Sequence, residues 1–251
     1  MKHCPKQRGL TLVELALVLL IVGLVAGGGL LVMTTQMEQN RIKETQRALA
    51  LAKEALIGFA QIHGRLPCPA TATSNGKEPP GSDPSIGYCH DVVSNNDVYI
   101  GYLPASTLGL SSATGGACEP GGSDSNAYGY LMDGWNRCIR YAVSRAANDA
   151  ATRENGIQIT GINSFNPNVR VCRQQACTQV LVGDAVAVVF STGKNGPAAG
   201  PDEAENMDVD RDFVMTTLRQ DGAQGGAFDD IVDWLPRQTL IKAMTDAKKL
   251  P

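Results

Sequence analysis

The sequence predicts an α+β chain in which one long N-terminal helix packs on an antiparallel β-sheet domain with disulfide-held loops. Three observations carry that reading. Residues 10–33 are an apolar run with a single charge, Glu14. Ile42, Thr45, Leu49, Ala52, Leu56 and Phe59 then recur at alternating spacings of three and four, which makes one helical stripe. Beyond them, short β-rich runs alternate with Gly, Pro, Asn and Ser, and six cysteines are spread among them. With 251 residues, 43% of them hydrophobic, the chain has room for a membrane helix and one soluble domain.

As a helix, residues 10–33 would extend about 36 Å at about 1.5 Å per residue, enough for a bilayer core of about 30 Å. Lys2, Lys6 and Arg8 precede the run without an acid. That bias places the N-terminus in the cytoplasm and everything after Met33 on the far, oxidising side. A cleavable secretory signal would put a short apolar core before a small-residue site. Here the processing point falls ahead of the apolar run instead. Glu14 inside such a helix costs about 2.5 to 3.5 kcal/mol, so it needs a partner or a polar escape. One reading is an interfacial residue that snorkels to lipid headgroups.

Residues 8–14, R-G-L-T-L-V-E, set before a full-length span, resemble the class III leader of type IV prepilins and type II secretion pseudopilins. The resemblance implies a pilin-like fold and a basic leader, residues 1–9, that a prepilin peptidase removes between Gly9 and Leu10. It implies N-methylation of the new terminus at Leu10, where the family usually has Phe. Glu14, at the fifth mature position, would then meet the ammonium of a neighbouring subunit's Leu10 and set the register of a filament. The implied location is the inner membrane, single-pass, with the N-terminus cytoplasmic and the C-terminal domain periplasmic. The implied partners are the peptidase and other pilin or pseudopilin subunits.

Residues 34–64 read as the same helix continuing into the soluble domain, with Gly27, Gly28 and Gly29 as the place where bending is least penalised. Gly64, followed by R-L-P-C-P, is a helix stop, and this run is similar to a feature of larger prepilin-like proteins. The head comprises residues 65–251. Residues 70–129 read as long disulfide-held loops, with a short helix over 104–110. Asp133-Gly134-Trp135-Asn136-Arg137 reads as a turn before a strand over 138–143, similar to the D-x-W-G turn of pseudopilins, with Trp135 expected in the core. Further strands are expected over 157–162, 184–190, 213–217 and 228–234, the second of them central, and a helix over 237–250. Residues 202–212 read as a solvated acidic segment.

Removing the leader takes the formal charge from -3 to about -6, which argues against broad nucleic-acid binding. It also removes Cys4 and leaves Cys68, Cys89, Cys118, Cys138, Cys172 and Cys177. An even number on the oxidising side points to disulfides. Six cysteines allow fifteen pairings. We expect neighbours to pair, Cys172 with Cys177 first among them. A zinc site is the weaker alternative, because only His63 and His90 remain and no C-x2-C knuckle is present.

Calcium is the one candidate cofactor, since hard cations gather carboxylate and carbonyl oxygens. The turn from Ser191 to Gly196, followed by D-D-I-x-x-W from Asp229 to Trp234, resembles the calcium loop of major type II pseudopilins, with a longer insertion between the halves. The implied metal residues are Ser191, Asp229 and Asp230. Asp208, Asp210 and Asp212 imitate an EF-hand start, but Phe213 and Arg219 occupy its glycine and glutamate positions. No hydrolase elbow, zincin motif or phosphate loop is present, so an enzyme is not expected. Two functions remain. One is a structural subunit, a minor pilin or pseudopilin; the other is a membrane-tethered periplasmic binding module whose loops recognise DNA, a surface or a secreted substrate.

Overall fold

The computed structural model describes residues 11–110, 118, 129–196, 200–219, 223 and 225–251, and for residues 24–34 the backbone alone. The leader, Gly9 included, and Leu10 lie outside the described residues, as do most of residues 111–128. The chain divides into two units, Met1–Ile42 and Lys43–Pro251. Helix α1 (Leu12–His63) contributes to both.

In the first unit, nine large apolar side chains from Leu12 to Val22 are all between 50% and 85% exposed. A helix that is apolar on every side has no water-facing stripe, and calls for an apolar surrounding rather than one packing partner. Among the described residues no helix is long and apolar enough to cross a membrane. The run expected to span, residues 10–33, lies partly outside that set. The backbone of α1 is helical through Gly27, Gly28 and Gly29.

In the second unit the helical stripe is buried where the spacing places it. Thr45, Leu49, Ala52, Leu56, Phe59 and Ala60 are all less than 9% exposed, whereas Leu51 on the other face is 46% exposed. Lys53 adds an ion pair to Asp233 at 2.6 Å, which ties α1 to the last strand. Gly64 ends the helix in the left-handed region at φ 69°, donating its N–H to the Ala60 carbonyl at 2.8 Å.

Among the described residues seven strands form one sheet: β1 (Val93–Ser94), β2 (Val98–Tyr102), β3 (Arg140–Ser144), β4 (Val169–Cys172), β5 (Val180–Ser191), β6 (Asp212–Val214) and β7 (Ile231–Pro236). The path is β1-β2-β3-β5-β4-β6, with β7 also paired to β5. β5 is long enough to take two partners on one edge. Ala187 pairs with Val143 of β3, Ala185 pairs with Val169 of β4, and both residues pair with β7 on the opposite edge. Side chains alternate between two cores. Tyr99, Tyr141, Val143, Ala187, Val189 and Leu235 join α1 and helix α5 (Arg237–Asp246) on one face. Val98, Ile100, Ala142, Val188, Phe190 and Phe213 fill the other. Because both faces of β5 are covered from Ala185 onward, that run reads as continuously apolar.

The structure departs from the sequence reading at several elements. The expected strand over 157–162 is a short helix, α3 (Gly156–Thr160), bounded by left-handed Asn155 (φ 52°) and Gly161 (φ 86°). The expected helix over 104–110 is a set of turns, closed by Leu110 donating to Ala105 at 2.7 Å. β2 lies inside the stretch read as loop. The sheet is mixed rather than antiparallel, because β6 runs parallel to β4 after the crossover that carries helix α4 (Pro201–Met207). Trp135 is half-buried rather than a core residue. A turn at α2 (Ala146–Asp149) holds Ala147, Asn148 and Asp149 at positive φ.

Leu56 is 1% exposed in the α1 stripe, so Leu56→Ala should destabilise the second unit by about 2 to 5 kcal/mol. Leu51→Ala should stay within about 0.5 kcal/mol. Urea denaturation followed by circular dichroism measures both, and equal effects would contradict the assignment of the packed face.

Candidate functional site

Two places concentrate polar groups of the kinds the sequence singled out. The first is the start of α1. Thr11 precedes the helix and its carbonyl accepts the Leu15 N–H at 3.1 Å. Its hydroxyl accepts the Glu14 N–H at 3.3 Å, while the Glu14 carboxylate accepts the Thr11 N–H and hydroxyl, both at 2.9 Å. This is a capping box, T-x-x-E, in which each residue satisfies a donor of the other. Every atom in it belongs to Thr11 or a later residue, so it is compatible with a chain that starts at Leu10. The sequence reading treated Glu14 as a charge needing a partner or a polar escape; the T-x-x-E spacing was the signal that it also caps its own helix.

The second place is where β5 ends, α4 begins and β7 begins. Ser191 is buried, but its hydroxyl donates to the Asp133 carboxylate and accepts the Gly193 N–H at 3.1 Å. Asp133 also accepts the N–H groups of Trp135 and Arg137, both at 2.8 Å, which builds the turn before β3. Ser191 is therefore engaged away from the acidic group, where the sequence had placed it as a ligand. The turn after it brings the N–H groups of Lys194 and Asn195 to Asp229 Oδ2, each at 3.1 Å. Gly193 makes this approach possible, because a Cβ there would lie 2.0 Å from Asp229 Oδ1.

The third acid comes from α4. Glu203, fully buried, accepts the Asp229 N–H at 2.8 Å. Asp230 is 4% exposed and its Oδ2 accepts from Asn206 Nδ2 at 2.8 Å, while Asn206 is itself held by the Val214 backbone. Asp229 Oδ1 and Asp230 Oδ1 are buried with no hydrogen-bond partner among the described residues. One carboxylate oxygen each of Glu203, Asp229 and Asp230 can be chosen so that all lie within 4.8 Å of one another. A calcium ion with ligands at about 2.3 to 2.6 Å fits oxygens at that spacing. Without an ion, burial pushes Asp230 up to about 8, helped by Glu203 and Asp229 and opposed by the Asn206 amide. Burial likewise pushes Asp229 up to about 6.

Sequence reasoning missed Glu203 because residues 202–212 read as solvated. Instead Asp202, Glu203, Glu205 and Asn206 are all buried on α4, each turned to a different neighbour. Asp202 pairs with Arg219 and accepts the Gln175 N–H at 2.7 Å. Asp212 pairs with Arg170 on β4. Pro201 opening a turn with Asp202 and Glu203 behind it was the available signal of a helix N-terminus. A second acidic group, Glu205, Asp208 and Asp210, lies along the same excursion.

The six cysteines pair as neighbours: Cys68–Cys89, Cys118–Cys138 and Cys172–Cys177, with Cα separations of 5.5, 6.1 and 5.1 Å. Beside the first bridge, Arg65 of R-L-P-C-P is buried against Glu78 at 2.7 Å, and Glu78 also accepts the Cys68 N–H at 2.6 Å.

Residues 4–30 match the prokaryotic N-terminal methylation motif. The chain carries the class III leader of type IV pilin-like proteins. The matched residues include the capping box at Thr11 and Glu14. No curated protein and no solved structure matches the chain.

The raised Asp230 has a defined sign. The folded chain keeps a proton that the unfolded chain releases above about pH 4, so this stabilisation is present at low pH and is lost as pH rises through about 8. In chelator-containing buffer, stability should fall between about pH 5 and 8, and Asp230→Asn should flatten the fall. Denaturant midpoints across that range measure it; an unchanged slope in the variant would contradict the assignment.

Proposed function

We propose that the protein is a structural subunit, a minor pilin or pseudopilin, of a type IV pilus or type II secretion filament. The observation that carries this reading is the methylation motif over residues 4–30, continuous with an α1 segment whose apolar side chains are exposed on all sides. In this reading the leader is cut between Gly9 and Leu10, residues 10–33 cross the inner membrane, and the head is periplasmic. The same apolar surface that lipid covers before assembly is covered by neighbouring helices afterwards. Glu14 then has two tasks: it caps its own helix, and it offers its remaining carboxylate capacity to the Leu10 ammonium of a neighbour. The disulfides fit an oxidising compartment and support the periplasmic placement.

The acidic pocket supports a second element of the reading, a structural calcium ion held by Glu203, Asp229 and Asp230. Two buried carboxylate oxygens without donors among the described residues are what such an ion would satisfy. Its task is to fasten α4 and the start of β7 to the end of β5, not to do chemistry. The tethered binding module is the alternative function, in which α1 is only an anchor and the disulfide-held loops recognise DNA, a surface or a secreted substrate.

Mass spectrometry of the protein from cells with an active prepilin peptidase should find Leu10 as the first residue, N-methylated. An intact leader would overturn the filament reading. Calcium should raise Tm by about 5 °C at saturation over chelator, and Glu203→Gln should remove most of that rise. An unchanged wild-type Tm in calcium would remove the ion from the account while leaving the filament reading in place.

A further inference from the structure

The N-terminal half of β5 has a free edge. β4 pairs with it from Val180 to Ala185 on one side, and β7 occupies the other side only from Ala185 onward. β7 ends at Pro236, where the chain turns into α5. Among the described residues, no strand pairs with the edge of β5 opposite β4 over residues 180–184. Val180 and Leu181 are 48% and 37% exposed. Natural edges are usually guarded by Lys, Pro or a bulge. Here Pro236 and a register shift between Ala185 and Ala187 mark where the β7 ladder stops, and within the free stretch the one charge is Asp184, with Gln238 Nε2 3.3 Å from its carboxylate.

A groove of about 420 Å³ adjoins this stretch, lined by Leu181, Val182, Met215, Thr217, Trp234 and Arg173 among others. Among the described residues Arg173 is the only charged side chain in the lining, and it forms no ion pair. These features select the occupant. The row of backbone groups asks for an extended chain that can complete a ladder. The apolar floor takes one or two side chains from alternate positions. The guanidinium adds a site for a carboxylate, the one charge complementary to the groove. An alkyl chain would meet only the floor.

We propose that the free edge of β5 and this groove bind an extended apolar peptide segment of another polypeptide, which adds a strand beside Val180–Asp184 and brings a carboxylate to Arg173. The ladder is only four or five residues long and falls short of a standard interface of about 800 Å² per partner, so the complex is transient. The site lies wholly within the second unit and does not depend on how the N-terminal helix assembles.

The test uses the full chain in lipid nanodiscs carrying Trp135→Phe, which leaves Trp234 in the groove as the one tryptophan. The probe is an amidated hexapeptide alternating threonine and valine and ending in glutamate. Trp234 fluorescence should change saturably. Leu181→Lys and Arg173→Glu should each weaken binding by about tenfold or more, and a lysine-ending peptide should recover affinity for Arg173→Glu. Ile159→Lys, at an exposed site on α3, should bind as the parent does. A peptide N-methylated at alternate backbone positions should fail. A probe with a free terminal carboxylate in place of glutamate separates the two sources of that group, and tighter binding by either supports the proposal. Absence of saturation, equal binding of the N-methylated peptide, or indifference to Arg173→Glu would overturn it.

Discussion

The packing of one helical stripe against one face of the sheet is the constraint on which the second unit depends. Leu49, Ala52, Leu56 and Ala60 meet Tyr99, Tyr141, Val143 and Leu235 in a single core, and α5 closes it with Leu240 and Met244. Small residues at positions 52 and 60 let the helix lie close, and the tyrosines supply the bulk between. Given that face, β5 must be central, because its alternate side chains serve this core and the one beneath it. The ion pair from Lys53 to Asp233 then joins the helix to the edge strand, and the same carboxylate accepts the Trp234 N–H at 2.8 Å.

α1 answers to two different surroundings along one sequence. Up to Val22 it is apolar all round, which suits lipid or other helices; from Thr45 it is apolar on one side only, which suits a sheet and water. The capping box at its start satisfies backbone donors locally, so the helix opens without help from a neighbour. In the filament reading, such self-sufficiency keeps the unassembled subunit stable while leaving the charge of Glu14 for assembly.

Features written in local, periodic patterns were legible in the sequence: the apolar run, the stripe, the stop at Gly64, the central strand and the neighbouring cysteines. What failed depended on partners far along the chain. β2 is five residues, V-Y-I-G-Y, set among Ser, Asn and Gly, and its pairing with β1 and β3 makes it a strand. Acids from 202 to 212 read as solvated because charge suggests water. Asp208 is indeed exposed, but Asp202, Glu203 and Asp212 are buried against Arg219, Arg170, Asn195 and the backbone of Asp229, which no local pattern reveals. Ser191 fitted a ligand motif, yet the turn at Asp133 claimed its hydroxyl from 58 positions away. The helical turn of α3 and the parallel pairing of β6 likewise follow from chain reversal and crossover rather than from residue type.

The central claim is that Glu14 serves assembly by its charge, beyond capping its own helix. Glutamine in the same place can still close the capping box but has no charge to offer a neighbour's ammonium. The decisive measurement is therefore the share of Glu14→Gln protein found in sheared filaments, normalised to the amount in the membrane, with wild type and Glu14→Ala alongside. The account predicts normal membrane levels for both variants, reduced incorporation for the glutamine variant and a deeper loss for alanine. Wild-type incorporation of Glu14→Gln would contradict it and reduce Glu14 to a helix cap.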